Sequence, residues 1–215
     1  MTKRILILTM SSKQRKYCVA GLDVDNNQFI RLVDNRYPES NGITTTQMMD
    51  PSGKFAKILD LVSVTKLTPA PTPIQPENYT ISSATTFKIE VKLSPNFLST
   101  LIQRCPVVNS NSILGNKSFK IAAKEANKLN HSIELLYVQQ LVSYINEAGR
   151  IKADFRYNEI MYRNFTVTDP DIFFEPVDAD AAYIVVSLGE LNNKRKIGEH
   201  YKFVAKIFVV DGASV

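Results

Sequence analysis

The sequence predicts a mainly β protein with a few helices, of the β-barrel or α+β class. Three observations predict it. Short β-branched and aromatic runs recur in both halves of the chain, about five in each half. Turns rich in Asn, Gly and Pro separate these runs. Between the two sets the apolar spacing shifts toward a helical period, so a helical middle segment joins two β halves.

The elements follow in order. Ile5 to Leu8 is a short aliphatic strand. Tyr17 to Leu22 and Phe29 to Val33 flank a polar turn and predict a hairpin. Residues 34–54 are polar and rich in Asn, Thr, Ser and Pro, which predicts a loop. Phe55 to Leu67 returns to strand, and Pro69, Pro71, Pro73 and Pro76 stiffen the crossing that follows. In Thr86 to Leu93, apolar Phe87, Ile89, Val91 and Leu93 alternate with charged Lys88, Glu90 and Lys92, as in a strand with one wet face. Ser94 and Pro95 fit the N-cap and first position of a helix over Asn96 to Gln103. A second helix is expected within Lys117 to Leu129. Ile133 to Ile145, Ile151 to Tyr157, Tyr162 to Thr168, Ala181 to Leu188 and Tyr201 to Val210 complete the second set of strands.

Composition bounds the class of protein. The 215 residues suffice for one large domain or two of about 100 each. A hydrophobic content of 44% and a charged content of 22% are those of a soluble globular chain. The excess of 26 Lys and Arg over 21 Asp and Glu favours an anionic partner. Most of that excess sits in residues 1–36, where seven basic residues face three acidic ones. Cys18 and Cys105 form no disulfide framework or metal spacing, so a reducing cytoplasm is the expected compartment. The apolar runs are too short to span a bilayer, and no signal peptide or cofactor motif is present.

About five strands per half is the strand count of the OB-fold, a small Greek-key barrel that binds oligonucleotides or oligosaccharides. An SH3-like or other small barrel would share the same periodicity. Particular segments favour the former. Ser12-Lys13, Tyr17-Cys18-Val19-Ala20-Gly21, Ile30-Arg31-Leu32-Val33 and Gln75-Pro76-Glu77-Asn78-Tyr79 occur in the first half. Phe155-Arg156-Tyr157-Asn158, Tyr162, Val167-Thr168-Asp169-Pro170, Ser187-Leu188-Gly189-Glu190, Tyr201-Lys202 and Ala205 occur in the second. With these, nearly the whole chain resembles the bacterial dual OB-containing domain family. The resemblance implies two tandem OB-like barrels joined by a helical segment, with a first barrel over 1–94 and a connector plus second barrel over 95–215. It also implies nucleic-acid binding and supplies no catalytic residues. Phe29 stands where that pattern suggests Trp, and the chain has no Trp.

The candidate contacts are basic or aromatic. Lys13, Arg15 and Lys16 fall between the first two strands, where loops of OB-folds often touch ligand. Lysine and arginine hold phosphate by charge, and arginine also by bidentate geometry. The alternative is a solvated loop. Tyr17 would stack on a base, or else belongs to the barrel rim or core. Arg31 interrupts an apolar run, so it is either exposed on the ligand face or paired with a carboxylate such as Asp23. Lys152, Asp154, Arg156 and Asn158 share one strand face. With Tyr162 and Arg163 they would make a second binding surface, or a wet face laced with cross-strand ion pairs. Lys194, Arg195 and Lys196 occupy the expected last loop of the second barrel, and Lys202 adds a cation in the final strand.

Other chemistry has less support. Asp169, Asp171, Glu175, Asp178 and Asp180 are acidic enough to hold a divalent metal for nuclease chemistry, but they show no regular ligand spacing, and Asp169-Pro170 reads as a turn. His131 and His200 lack nucleophile partners. The expected function is therefore a non-catalytic module that binds single-stranded or structured DNA or RNA. A protein-interaction module on the same scaffold is the alternative, and a metal-dependent nuclease the third reading.

Overall fold

The computed structural model describes residues 1–13, 15–105, 112–172, 176–190 and 198–210, with backbone only at residue 13. The chain divides into two compact units, Met1–Pro106 and Val107–Val215. In the first unit the strands are β1 (Lys3–Lys13), β2 (Lys16–Asp23), β3 (Gln28–Val33), β4 (Asp60–Val64), β5 (Thr68–Pro69), β6 (Asn78–Thr80) and β7 (Phe87–Lys92). A short helix, α1 (Leu98–Ile102), follows them. The second unit contains β8 (Lys120–Ala122), α2 (Ala123–Ala126), β9 (Ile133–Ile145), β10 (Ile151–Tyr157), β11 (Ile160–Val167), β12 (Asp178–Leu188) and β13 (Glu199–Val209).

The second unit closes into a barrel. Strand β9 pairs with β10, β10 with β11, β11 with β13, β13 with β12 and β12 with β9. Only the β11–β13 contact is parallel, at Thr166↔Phe203 and Val167↔Val204. That ring of five strands, meandering through three and crossing back through the fifth, is the OB arrangement. The first unit follows the same path. Strands β1, β2 and β3 meander, β3 pairs in parallel with β6, β6 pairs with β5, and β4 pairs with β1. Leu67, between β4 and β5, donates its N–H to the Met1 carbonyl at 2.9 Å, which carries the ladder across the gap.

The core of the first unit shows how the sequence specifies it. Ile5, Ile7 and Met10 face inward with Val19, Ile30, Leu32, Val62 and Val64. The step of three from Ile7 to Met10 arises because β1 carries an extra residue between Ile7 and Thr9 opposite β2. Beside that bulge the two backbones approach so closely that a Cβ at Gly21 would collide with the Leu6 carbonyl oxygen. Glycine is the side chain that fits there.

Two of the segments singled out in the sequence meet in space. Ile30–Val33 lies along β3 and Gln75–Tyr79 leads into β6, so the β3–β6 ladder joins them. Each unit also buries an aspartate just after its third barrel strand. Asp34 accepts from Arg36 and Gln47, and Asp169 accepts from Lys206 and the Ile207 N–H.

Several expectations need correction. The strand expected over Phe55 to Leu67 shortens to β4, because Leu59 and Lys66 on either side of it adopt left-handed backbone. The alternation in β7 holds at Phe87, which is buried, and fails at Val91, which is 46% exposed beyond a bulge in β4–β7. The segment expected as one helix over Lys117 to Leu129 is instead β8 followed by the single turn α2. The first helix starts as expected, with the Ser94 hydroxyl accepting from the Asn96 N–H.

Candidate nucleic-acid interface

In the first unit the basic loop is tighter than its sequence suggests. β1 runs to Lys13 and β2 begins at Lys16, so only two residues connect them, and Arg15 turns in left-handed backbone with its side chain exposed. The Lys13 side chain lies outside the described residues. Lys16 is already engaged: its Nζ lies 3.0 Å from Glu39 Oε1 and 4.0 Å above the Tyr37 ring. Tyr17 packs its ring 5.8 Å from Phe55 against the barrel core, and its backbone pairs with Ile43. It is a rim aromatic. Phe29 is buried as well.

Arg31 is buried and is held by Glu77, at 3.2 Å from its Nη2. Asp23 belongs to Lys3 instead, at 2.7 Å. Arg31 as a ligand contact is therefore corrected: a guanidinium enclosed with its carboxylate ties β3 to the segment before β6.

The second unit brings part of the predicted polar surface together and rejects the rest. Ala153 and Phe155 of β10 point inward, and Asp154 and Arg156 point out. The neighbouring strand β11 bulges at Asn164, which is left-handed, so Tyr162 and Phe165 both turn into the core. Tyr162 is fully buried, stacked 5.8 Å from Phe155 and edge-on to Phe165 at 6.0 Å. It cannot stack on a base, which corrects that expectation. Lys202 is corrected on the same ground. It is 1% exposed, and its Nζ donates to the Ile113 carbonyl, the Asn116 carbonyl and Asn116 Oδ1, at 2.5, 3.0 and 2.6 Å. Burial pulls its pKa down to about 7, against the opposite pull of Glu134. Lys152 is also covered, donating to Thr166 Oγ1 at 2.9 Å, and burial lowers its pKa too.

What remains outside is a compact group on β9, β10 and β11. Asp154 accepts from the Asn164 N–H at 2.8 Å and from the Tyr144 hydroxyl at 3.2 Å. Arg163 lies 3.6 Å from the same carboxylate, with 72% of its side chain exposed. Arg156 reaches Glu159 at 3.5 Å, and its Nε has no hydrogen-bond partner. Asn158 sits exposed at the β10–β11 turn, where it and Glu159 adopt left-handed backbone. Tyr144 is the member that sequence reasoning missed. Its signal was its place two residues beyond Val142 in a strand whose alternate positions face solvent.

Two expectations fall on undescribed positions. Lys194, Arg195 and Lys196 lie outside the described residues, in the connection between β12 and β13, and Glu175 of the acidic segment does too. The rest of that segment is structural at its start: Asp169 is buried and held by Lys206 at 3.1 Å, and Lys206 also meets Asp171. Among the described residues no group of His, Cys, Asp and Glu is placed to hold a metal ion. His200 is buried with Nδ1 2.9 Å from the Gly189 carbonyl, and His131 pairs with Glu134 at 2.9 Å. No helix among the described residues is long and apolar enough to cross a membrane.

The family model of the dual OB-containing domain matches residues 3–207. No curated protein matches the sequence. Among solved structures the chain is similar to the Ifi202 HINa domain in complex with 20bp dsDNA, at 11% identity and a TM-score of 0.36, covering 98% of this chain and 97% of that one. It is also similar to a murine DNA binding protein bound with ds DNA, at 8% identity and a TM-score of 0.38, covering 98% and 100%. A third is the p202 HIN1 in complex with 12-mer dsDNA, at 10% identity and a TM-score of 0.34, covering 97% and 91%.

Proposed function

The chain belongs to the dual OB-containing domain family, and from that premise we propose that it is a non-catalytic module that binds single-stranded or structured nucleic acid. One observation carries the reading. The outer face of β9, β10 and β11 presents the Tyr144 ring beside the exposed Arg163 guanidinium, both meeting Asp154, with the half-buried Arg156 farther along the face, opposite Gln139. An aromatic ring gives every base a stacking surface, and cations beside it meet the backbone phosphates. The Arg163–Asp154 pair at 3.6 Å is loose and open to water, so it costs little to exchange for a phosphate. Asp154 then keeps a separate task, holding the Tyr144 hydroxyl. In the first unit Arg15 is an exposed cation of the β1–β2 loop. Lys194 to Lys196 would add charge at the β12–β13 connection.

Fluorescence anisotropy with labelled single-stranded DNA and RNA at low salt tests this directly. Binding is expected, and Tyr144→Ala should weaken it by about 1–3 kcal/mol. Absence of binding to both nucleic acids at low salt would overturn the reading.

A second reading has its own observation. Val142, Ile145 and Met161 are 42%, 61% and 37% exposed on these same strands, an apolar presence that suits a protein partner. A pull-down that survives both high salt and nuclease treatment favours it.

A further inference from the structure

We infer that the interface extends along the full outer row of β9 and contains a second base-stacking subsite, formed by Tyr137 and Tyr183. This inference rests on the proposed nucleic-acid binding and specifies its occupant as an extended single strand several nucleotides long.

The row exists because of one bulge. Strand β9 pairs Asp154 with Val142 and Arg156 with Gln139, so two residues of β10 face three of β9. The extra residue is Gln140, which is left-handed. It absorbs the change of parity, so Tyr137 and Gln139 before it and Val142 and Tyr144 after it all face outward. The inward positions between them, Val138, Leu141 and Ser143, are buried.

Tyr137 and Tyr183 are directly opposite each other on β9 and β12, with ring centroids 5.2 Å apart and planes tilted by 56°. Tyr137 remains 41% exposed, and Tyr144 is 36% exposed. Six ladder steps at about 3.3 Å place these two aromatic positions about 20 Å apart. That separation is too long for one nucleotide and suits several. Between them the outer face carries both signs of charge: Arg156 on β10 lies opposite Gln139, and exposed Asp178 on β12 lies opposite Val142. Arg163 reaches the middle of the row through Asp154, which faces Val142. Ring, cation and ring in sequence along one strand are complementary to base, phosphate and base along a single nucleic-acid strand. A duplex presents its bases edge-on in a groove and offers no π-face to such a row.

The absence of tryptophan makes the test direct. Tyr137→Trp places one tryptophan at the proposed subsite and keeps an aromatic ring against Tyr183. Its emission should be quenched as an oligothymidylate of about twelve nucleotides saturates the protein, and should stay unchanged when one of about three does. Tyr137→Leu, which keeps bulk without a ring, should weaken the longer oligonucleotide about tenfold and leave the shorter one unaffected. Tyr144→Ala should weaken both. If the longer oligonucleotide saturates the protein by anisotropy while the tryptophan emission does not change, the second subsite is refuted and the primary interface stands. If neither oligonucleotide binds, the proposed function itself fails.

Discussion

At the scale of single residues, two buried cations do structural work that their charge disguises. Arg31 reaches Glu77 across 46 positions of sequence, so the chain signals that Arg31 needs a partner but not which one. Removing one member leaves the other charged and enclosed. Arg31→Met is expected to destabilise the fold by about 3–5 kcal/mol, and Arg31→Met with Glu77→Leu by much less. Urea unfolding of the two variants checks this, and equal losses would contradict it. Lys202 behaves differently. In the unfolded chain it titrates near 10.5 and in the folded chain near about 7, because burial disfavours its charge. Between those values the unfolded chain holds a proton that the folded chain has released, so stability should rise with pH across that window. Lys202→Met should lower stability overall, by losing the bonds to Ile113 and Asn116, and should flatten the rise between about pH 7 and about pH 10.5. Its burial was legible in principle, since it alternates in phase with His200 and Val204, which are also buried.

At the scale of elements, strand limits and hairpins were readable and bulges were not. β9 and β10 begin and end at the residues expected. The extra residues in β1, β9 and β11 decide which side chains reach solvent, yet left-handed Gln140 and Asn164 are not the glycines that would mark a bulge in sequence. That is why Tyr162 was expected outside and Tyr144 was overlooked. The β1 bulge does leave a mark, at Gly21 on the facing strand. Gly21→Ala must push β2 away from the Leu6 carbonyl, since backbone on both sides cannot yield as a flexible side chain would. A loss of about 1–3 kcal/mol is expected. Thermal unfolding measures it, and Gly53→Ala is an informative comparison: Gly53 has open space around it but a positive φ, so its cost is conformational alone.

At the scale of the whole molecule, counting strands in each half suggested two small barrels and the family resemblance made them OB-like, while their closure depended on pairings between distant segments. The parallel contacts β3–β6 and β11–β13 complete the OB path, and local periodicity carries no record of them. Charge was likewise legible as a total and not as a surface. Of the candidate cations, Arg31, Lys152 and Lys202 are buried and Lys16 is paired, so the number of candidate cations overstates what a ligand meets. This separates two kinds of contact in one measurement. Each phosphate neutralised by a cation releases counterions, so the logarithm of affinity for a single strand falls with the logarithm of salt by about 0.7 per phosphate contact. Arg163→Ala should therefore weaken binding at low salt and make the slope shallower by about 0.7. Tyr144→Ala removes stacking without removing charge, so its line should shift to lower affinity with the slope unchanged. Lys202→Met, on a side chain with no access to ligand, should change neither the slope nor the intercept at a pH where the protein is fully folded. Anisotropy titrations over a series of salt concentrations decide among these lines. A reduced slope for Lys202→Met, or an unchanged one for Arg163→Ala, would place the phosphate contacts elsewhere than on the outer face of β9, β10 and β11.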